Sequence, residues 1–267
     1  MGLSIVMTLA TPTHTSWQTE VTLPVGYFDE ESGQLHRQIT LRKMTGREEA
    51  LLSDPGLQGN GGKLITALLS NCVIALEGIK PVDTTIIRRL TSADRNFLLL
   101  ELRRLTFGDE MEAQYRCPKC QGVTAVLEDL SSFDVRELET GILPEIHITL
   151  KDGYQDPEGN WQFELLFALP TGEDEEVAAG RRDKNPARQR DVLLARCLRQ
   201  VGGMEPKRIR ALGSRILSDL SMADRRLIQK AIDEQTPGLD LSRDVSCNQC
   251  GEGYRAGLDM TFFFPLE

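Results

Sequence analysis

Two short strings, Cys117-Pro118-Lys119-Cys120 and Cys247-Asn248-Gln249-Cys250, carry the strongest chemical signal in the chain. A Cys-x-x-Cys turn sets two thiolates on one side of a tight knuckle, where backbone amides can donate to sulfur. That arrangement suits one corner of a tetrahedral metal site. A closed structural zinc site takes four such ligands. Cys117, Cys120, Cys247 and Cys250 complete one shell if the two knuckles meet. Four thiolates around one Zn²⁺ leave a net charge of about −2, and Arg116, Lys119, Arg243 and Arg255 lie close enough in sequence to offset it. Gly122 and Gly251 suit the turn that follows each knuckle. The same residues also admit a redox dithiol, free thiols, or a site shared between two chains. A thioredoxin-like role would need a βαβ setting, which the pattern does not offer.

The other candidates for chemistry read as structural. Cys72 and Cys197 stand alone inside apolar runs, as buried small side chains do. The three histidines, His14, His36 and His147, have no Ser, Cys or carboxylate beside them in a catalytic order, and His36 and His147 fall at expected strand edges. No Gly-rich phosphate loop, paired-carboxylate pattern or His-metal motif occurs, so the expectation is a protein that is not an enzyme. The balance of 40 acidic against 31 basic residues gives a formal charge of −9, which repels a polyanion unless the arginines are segregated. Arg88-Arg89, Arg103-Arg104, Arg181-Arg182 through Arg190, and Lys207 to Arg215 read as solvated helix faces. A zinc-ribbon nucleic-acid adaptor is the alternative they leave open. No apolar run reaches the roughly 18 to 20 residues that span a bilayer, and the opening Met1-Gly2-Leu3-Ser4 lacks a basic leader. The expectation is a non-secreted protein with no membrane span.

The elements that position the knuckles are written twice. Cys197 lies 125 positions after Cys72, and Asn185 and Leu193-Leu194 follow Asn60 and Leu68-Leu69 by the same interval. From Ala93-Asp94-Arg95 to Ala223-Asp224-Arg225 the interval is 130, and it carries both knuckles and Asp129 onto Asp259. A five-residue insertion around Gly202 to Gly213 accounts for the change. Each copy opens with two alternating segments about a polar Gly turn, Val21–Gly26 with Leu35–Leu41 and Ile146–Leu150 with Trp161–Leu166, which predict β-hairpins. Thr45-Gly-Arg-Glu48 and Thr171-Gly-Glu-Asp174 predict capped helices, and Thr91-Ser-Ala-Asp94 and Ser221-Met-Ala-Asp224 repeat the device. Behind these caps, Ala93, Phe97, Leu98 and Leu102 match Ala223, Leu227, Ile228 and Ile232, a stripe expected to face the core. The predicted order in each copy is β-β-α-α-α-β-β.

The fold class is therefore α+β: two tandem pseudo-symmetric modules, each a β-hairpin, three helices and a zinc-knuckle β-hairpin, sharing one zinc site of four cysteines. An arm at 1–21, a first module at 22–135, a linker at 136–145 and a second module at 146–267 are the expected units.

Leu23-Pro24-Val25-Gly26-Tyr27, Gly33-x-Leu35-His36-Arg37, Met44-Thr45-Gly46-Arg47-Glu48-Glu49, Asp94-Arg95, Leu98-Leu99-Leu100 and Leu105-Thr106-Phe107-Gly108-Asp109 give residues 22–130 a wider likeness. This stretch resembles the baseplate hub assembly chaperones of contractile-tailed phages and related contractile injection systems. The resemblance implies a protein that helps build, or forms part of, the hub. It further implies hub, spike or tape-measure proteins as partners and a place in the bacterial cytoplasm during assembly or in the finished particle; the sequence leaves a homo-oligomer open.

Overall fold

The computed structural model describes residues 17–139, 143–180, 185–258, 260 and 263–264. Asp259, Arg181, Arg182, His14, most of the arm and part of the linker lie outside the described residues.

In the first half, β1 (Gln18–Asp29) and β2 (Gln34–Arg42) form an antiparallel hairpin whose alternating apolar positions put Leu23, Ile39 and Leu41 inside. Three helices follow: α1 (Gly46–Leu52), α2 (Pro55–Gln58) and α3 (Gly61–Cys72). A third strand, β3 (Val73–Leu76), leaves α3 directly and pairs with β2. Then come α4 (Thr84–Arg89), α5 (Ser92–Phe107), and the first knuckle hairpin of β4 (Glu110–Arg116) and β5 (Val123–Asp129). The short strand β6 (Val135–Arg136) closes this half.

The second half follows a similar order with differences in its short helices and in the place of its two-residue strand. There β7 (Glu145–Gln155) and β8 (Trp161–Ala168) form the hairpin, α6 (Gly172–Ala179) and α7 (Pro186–Cys197) follow, and β9 (Leu198–Val201) pairs with β8. Next are α8 (Pro206–Leu212), α9 (Ser214–Ser218), α10 (Met222–Gln235), β10 (Gly238–Leu239), and the second knuckle hairpin of β11 (Ser242–Ser246) and β12 (Gly253–Gly257). Helix α8 occupies the inserted stretch. Strands β3 and β9 depart from the expected order. Each is four residues long and runs on from a helix with no glycine or proline between, so a short apolar run there reads equally well as one more helical turn.

Local chemistry fixes these ends. Glu48 closes a capping box, accepting from the Thr45 amide at 2.8 Å, and Asp174 does the same for Thr171 at 3.0 Å. Thr91 and Ser221 cap α5 and α10 through the amides of Asp94 and Asp224. The two aspartates themselves turn elsewhere. The first strand of each hairpin carries a bulge, between Thr22 and Tyr27 in β1 and between Thr149 and Tyr154 in β7. Asp94 accepts from the bulge amides of Val25 at 2.8 Å and Gly26 at 3.2 Å. Asp224 accepts from Lys151 at 2.6 Å, Asp152 at 3.0 Å and Gly153 at 3.1 Å. Both carboxylates are buried, and each replaces the ladder bonds that the bulge forfeits.

Two apolar clusters result, and neither keeps to one half of the chain. The first draws on β1, β2, α3 and α5 together with Val245, Leu258 and Phe263; the second takes Val25 and Ala93 into the residues of β7, β8 and α7. The paired helix stripes fare differently. Ala93, Phe97, Leu98 and Leu102 are all buried, whereas Ala223 is exposed and Leu227 is 39 % exposed. The covering explains it: Ala93 lies beneath Gly238 of the second half, and the second knuckle hairpin packs on the first cluster rather than over α10.

Candidate metal centre

Each knuckle folds in the same way. The Cys117 amide donates to Gly122 O and the Gln121 amide to Cys117 O; the Cys247 amide donates to Glu252 O and the Gly251 amide to Cys247 O. The residue after the second cysteine takes a left-handed conformation, with φ +62° at Gln121 and +71° at Gly251. In the first knuckle the left-handed position is thus Gln121. A Cβ on Gly122 would meet the amide end of the Gln249 side chain from the opposite knuckle, which would have to swing aside. Asn248 N donates across to Thr124 Oγ1 at 3.2 Å, and Lys119 pairs with Glu252 at 2.7 Å.

All four expected ligands come together. Cys117 Sγ lies 3.7 Å from Cys250 Sγ, Cys120 Sγ lies 3.5 Å from Cys247 Sγ, and all four sulfurs fall within 4.8 Å of one another. A disulfide would hold its sulfurs at about 2.05 Å, whereas a tetrahedron with Zn–S of about 2.3 Å has edges of about 3.8 Å. The spacing fits a single tetrahedral soft ion. The amides of Gly122 and Gln249 each lie 3.4 Å from a sulfur, as donors to thiolate should.

The electrostatics point the same way. Amide hydrogen bonds from Cys250 and Gln249 lower the Cys247 thiol to about 6. The Glu252 amide pulls Cys250 down as well, but desolvation and the thiols of Cys120, Cys247 and Cys117 outweigh it and push Cys250 up to about 12. Four sulfurs so close share few negative charges among themselves, and a divalent cation relieves that conflict. Cys72 and Cys197 contrast with them. Burial pushes each thiol up to about 12 and leaves it a small apolar side chain.

The four cations expected to balance the sulfurs have other engagements. Lys119 pairs with Glu252, and Arg116 donates to Gln121 O. Arg243 pairs with Glu128 at 3.2 Å and stacks on Phe133, while Arg255 pairs with Asp240 at 3.1 Å. They brace the hairpins, and Lys119 also couples to the cluster: Glu252 first, and then the sulfurs of Cys250, Cys117 and Cys120, raise its ammonium above the usual value. The basic segments are partly neutralised too: Arg88 pairs with Glu176, Arg89 with Glu30, Arg104 with Glu101 and Asp109, and Arg208 with Glu158. His36 faces Glu77 at 3.0 Å, and His147 is exposed.

A second junction between the halves escaped sequence reasoning. Arg95 is fully buried and donates to Glu175 at 3.0 Å, Thr66 Oγ1 at 3.1 Å, Gly62 O at 3.0 Å and Ile87 O at 3.2 Å. Beside it Thr91 and Thr171 form a β-bridge, and a Cβ on Gly172 would collide with the guanidinium. The repeated Ala-Asp-Arg triplet was the available signal, but its carboxylate partner comes from a helix about 80 residues away.

An α+β body whose two hairpins converge on four thiols, with its halves locked by a buried ion pair, has the build of a cross-braced structural protein. A family model described as T4 bacteriophage base plate protein matches residues 20–258, and the chain belongs to that family. No curated protein and no solved structure matches the chain. Membership makes it a phage baseplate protein with partners inside the baseplate. Among the described residues, no helix is long and apolar enough to cross a membrane.

Proposed function

We propose that the chain is a zinc-clasped, non-enzymatic component of the baseplate hub, built from two pseudo-symmetric modules at 22–135 and 146–267. It acts as an assembly chaperone or a structural part of the hub, holding hub, spike or tape-measure proteins. Assembly takes place in the bacterial cytoplasm. The observation that carries this reading is the family match across both halves of a chain whose two knuckles converge on one four-sulfur cluster. In such a protein the metal performs no turnover. Cys117, Cys120, Cys247 and Cys250 would hold it, and its role is to fix two hairpin tips that bury little apolar area of their own.

Two measurements test the reading. Metal analysis of the purified chain should give one zinc per chain, lost in Cys247→Ser; two metals per chain would mean that each knuckle completes its shell elsewhere. Co-expression with the hub, spike and tape-measure proteins of the same phage should yield a stoichiometric complex. Recovery of nucleic acid alone, with a salt-sensitive gel shift, would overturn the protein-partner reading.

A further inference from the structure

A cleft of about 910 Å³ opens between the halves, away from the cysteine cluster. One lip is the tip of the first hairpin, the back is the segment entering β7, and the other wall is formed by α6, α7 and α8. Three apolar side chains in it are left to solvent: Phe28 is 38 % exposed, Leu143 40 % and Val177 39 %. The cleft's charges are unevenly engaged. Arg89 is matched by Glu30 at 2.6 Å and Arg196 by Asp174 at 2.6 Å. Arg199 on β9 and Arg210 on α8 are exposed, line the same cleft and have no carboxylate partner among the described residues; Arg199 donates only to the Arg196 carbonyl.

Two uncommitted guanidiniums beside an apolar floor, in a chain of formal charge −9, define the ligand they fit. We propose that this cleft docks a short apolar segment of a partner protein whose side chains include a carboxylate, which Arg199 and Arg210 receive. A guanidinium binds a carboxylate through two parallel N–H donors, so the pair fixes the register of the segment while the floor supplies apolar contact. Of the cleft's own carboxylates, Glu30 pairs with Arg89, Asp174 with Arg196 and Glu173 with Arg88, which leaves Arg199 and Arg210 to an incoming one. That the partner is a baseplate protein rests on the function proposed above; the chemistry of the segment does not.

The test uses the full chain co-expressed with the other baseplate proteins, with a photo-crosslinking residue at Val177 and, as a control, at Leu127, which is 67 % exposed on β5. The expected result is a Val177-specific crosslink to one segment that combines apolar residues with Asp or Glu. A synthetic peptide of that segment should bind the purified chain, lose at least tenfold in affinity to R199E/R210E, and recover when its own carboxylates are changed to arginine. Equal crosslinking from Leu127, no crosslink, or a crosslink to nucleic acid or to a second copy of this chain overturns the inference. So does peptide binding that is indifferent to R199E/R210E while the variant keeps its thermal unfolding midpoint. A crosslinked acidic, apolar segment from a protein outside the baseplate, passing the charge-swap test, would uphold the cleft and sink the baseplate partner.

Discussion

Glu175→Gln should destabilise the chain by about 3 kcal/mol, although Glu175 belongs to neither apolar cluster. Arg95 is fully buried and Glu175 is 20 % exposed at its side chain, so the substitution leaves a desolvated guanidinium with three neutral acceptors and only the more distant charge of Glu176. Breaking a buried pair by removing one partner typically costs about 3 to 5 kcal/mol, and the partial exposure of Glu175 places this case at the lower end. The second half shows how the loss could be repaired. There Arg225 takes the Arg95 position and donates to Leu217 O, but its carboxylate is Asp191 of its own half, at 2.6 Å. Asp191 stands where the first half has Thr66. Thr66→Asp in the Glu175→Gln background should therefore restore most of the loss, and Thr66→Asp alone, placed near Glu175 and Glu176, should not stabilise. Urea unfolding of the purified protein, read as a shift in midpoint at constant slope, measures all three variants. A cost below about 1 kcal/mol for Glu175→Gln, or no recovery in the double variant, would refute the claim that α6 supplies the charge Arg95 needs.

Further consequences follow from the other buried carboxylates and from the cluster. Asp224→Ala removes the acceptor of three bulge amides and should cost on the order of 3 kcal/mol, with faster amide hydrogen exchange at Lys151, Asp152 and Gly153 as the local readout. Burial works to raise the Glu48 carboxyl, but the Arg42 guanidinium and the Thr45 amide and hydroxyl outweigh it and hold it at about 2, below the usual value of 4.5. Its folded value is depressed, so its contribution of about 3 kcal/mol is fully present above pH 4.5 and fades as pH falls through 2. Glu48→Gln should accordingly flatten the acid limb of a stability-against-pH curve in that window. On the zinc reading proposed above, a chelator should speed exchange at residues 116–124 and 246–254 while amides around 60–66 and 172–176 stay protected, because the Arg95 junction uses none of the four cysteines.

The fold was legible in sequence where a side chain acts on its own neighbours. The knuckles, the hairpins and the capping residues Thr45, Thr91, Thr171 and Ser221 all work within a few positions of themselves, and spacing reports them. What spacing could not report was the destination of a long-range bond. Asp94 and Asp224 sit at the third position of a helix, where a carboxylate ordinarily turns back to the cap, and nothing local says that a hairpin bulge about 70 residues away competes for it. Strands β3 and β9 were hidden because pairing with β2 and β8, rather than propensity, makes four residues extended. Ala223 and Leu227 read as core from the apolar stripe at helical spacing that they share with Ala93 and Phe97. Their exposure depends on where a distant hairpin packs.

The same two halves meet through joins of opposite character, and that contrast bears on what each join does. At the cysteines the partnership is reciprocal: Cys117 faces Cys250 and Cys247 faces Cys120, so exchanging the knuckles leaves the pairing unchanged. At the helices it is one-way. Helix α6 packs on α3 and supplies Arg95, while α1, its positional counterpart, packs on α3 of its own half, and no comparable packing of α1 on α7 occurs among the described residues. A reciprocal join alone would leave the Arg95 surface and its Arg225 counterpart equally open to another copy of the chain. Thr66 in one half and Asp191 in the other remove that ambiguity: the first guanidinium must look across for its carboxylate, and the second already has one. The charge placement therefore closes the molecule on itself at the helices. It also leaves Arg199 and Arg210, in the cleft beside α6, without a carboxylate partner among the described residues.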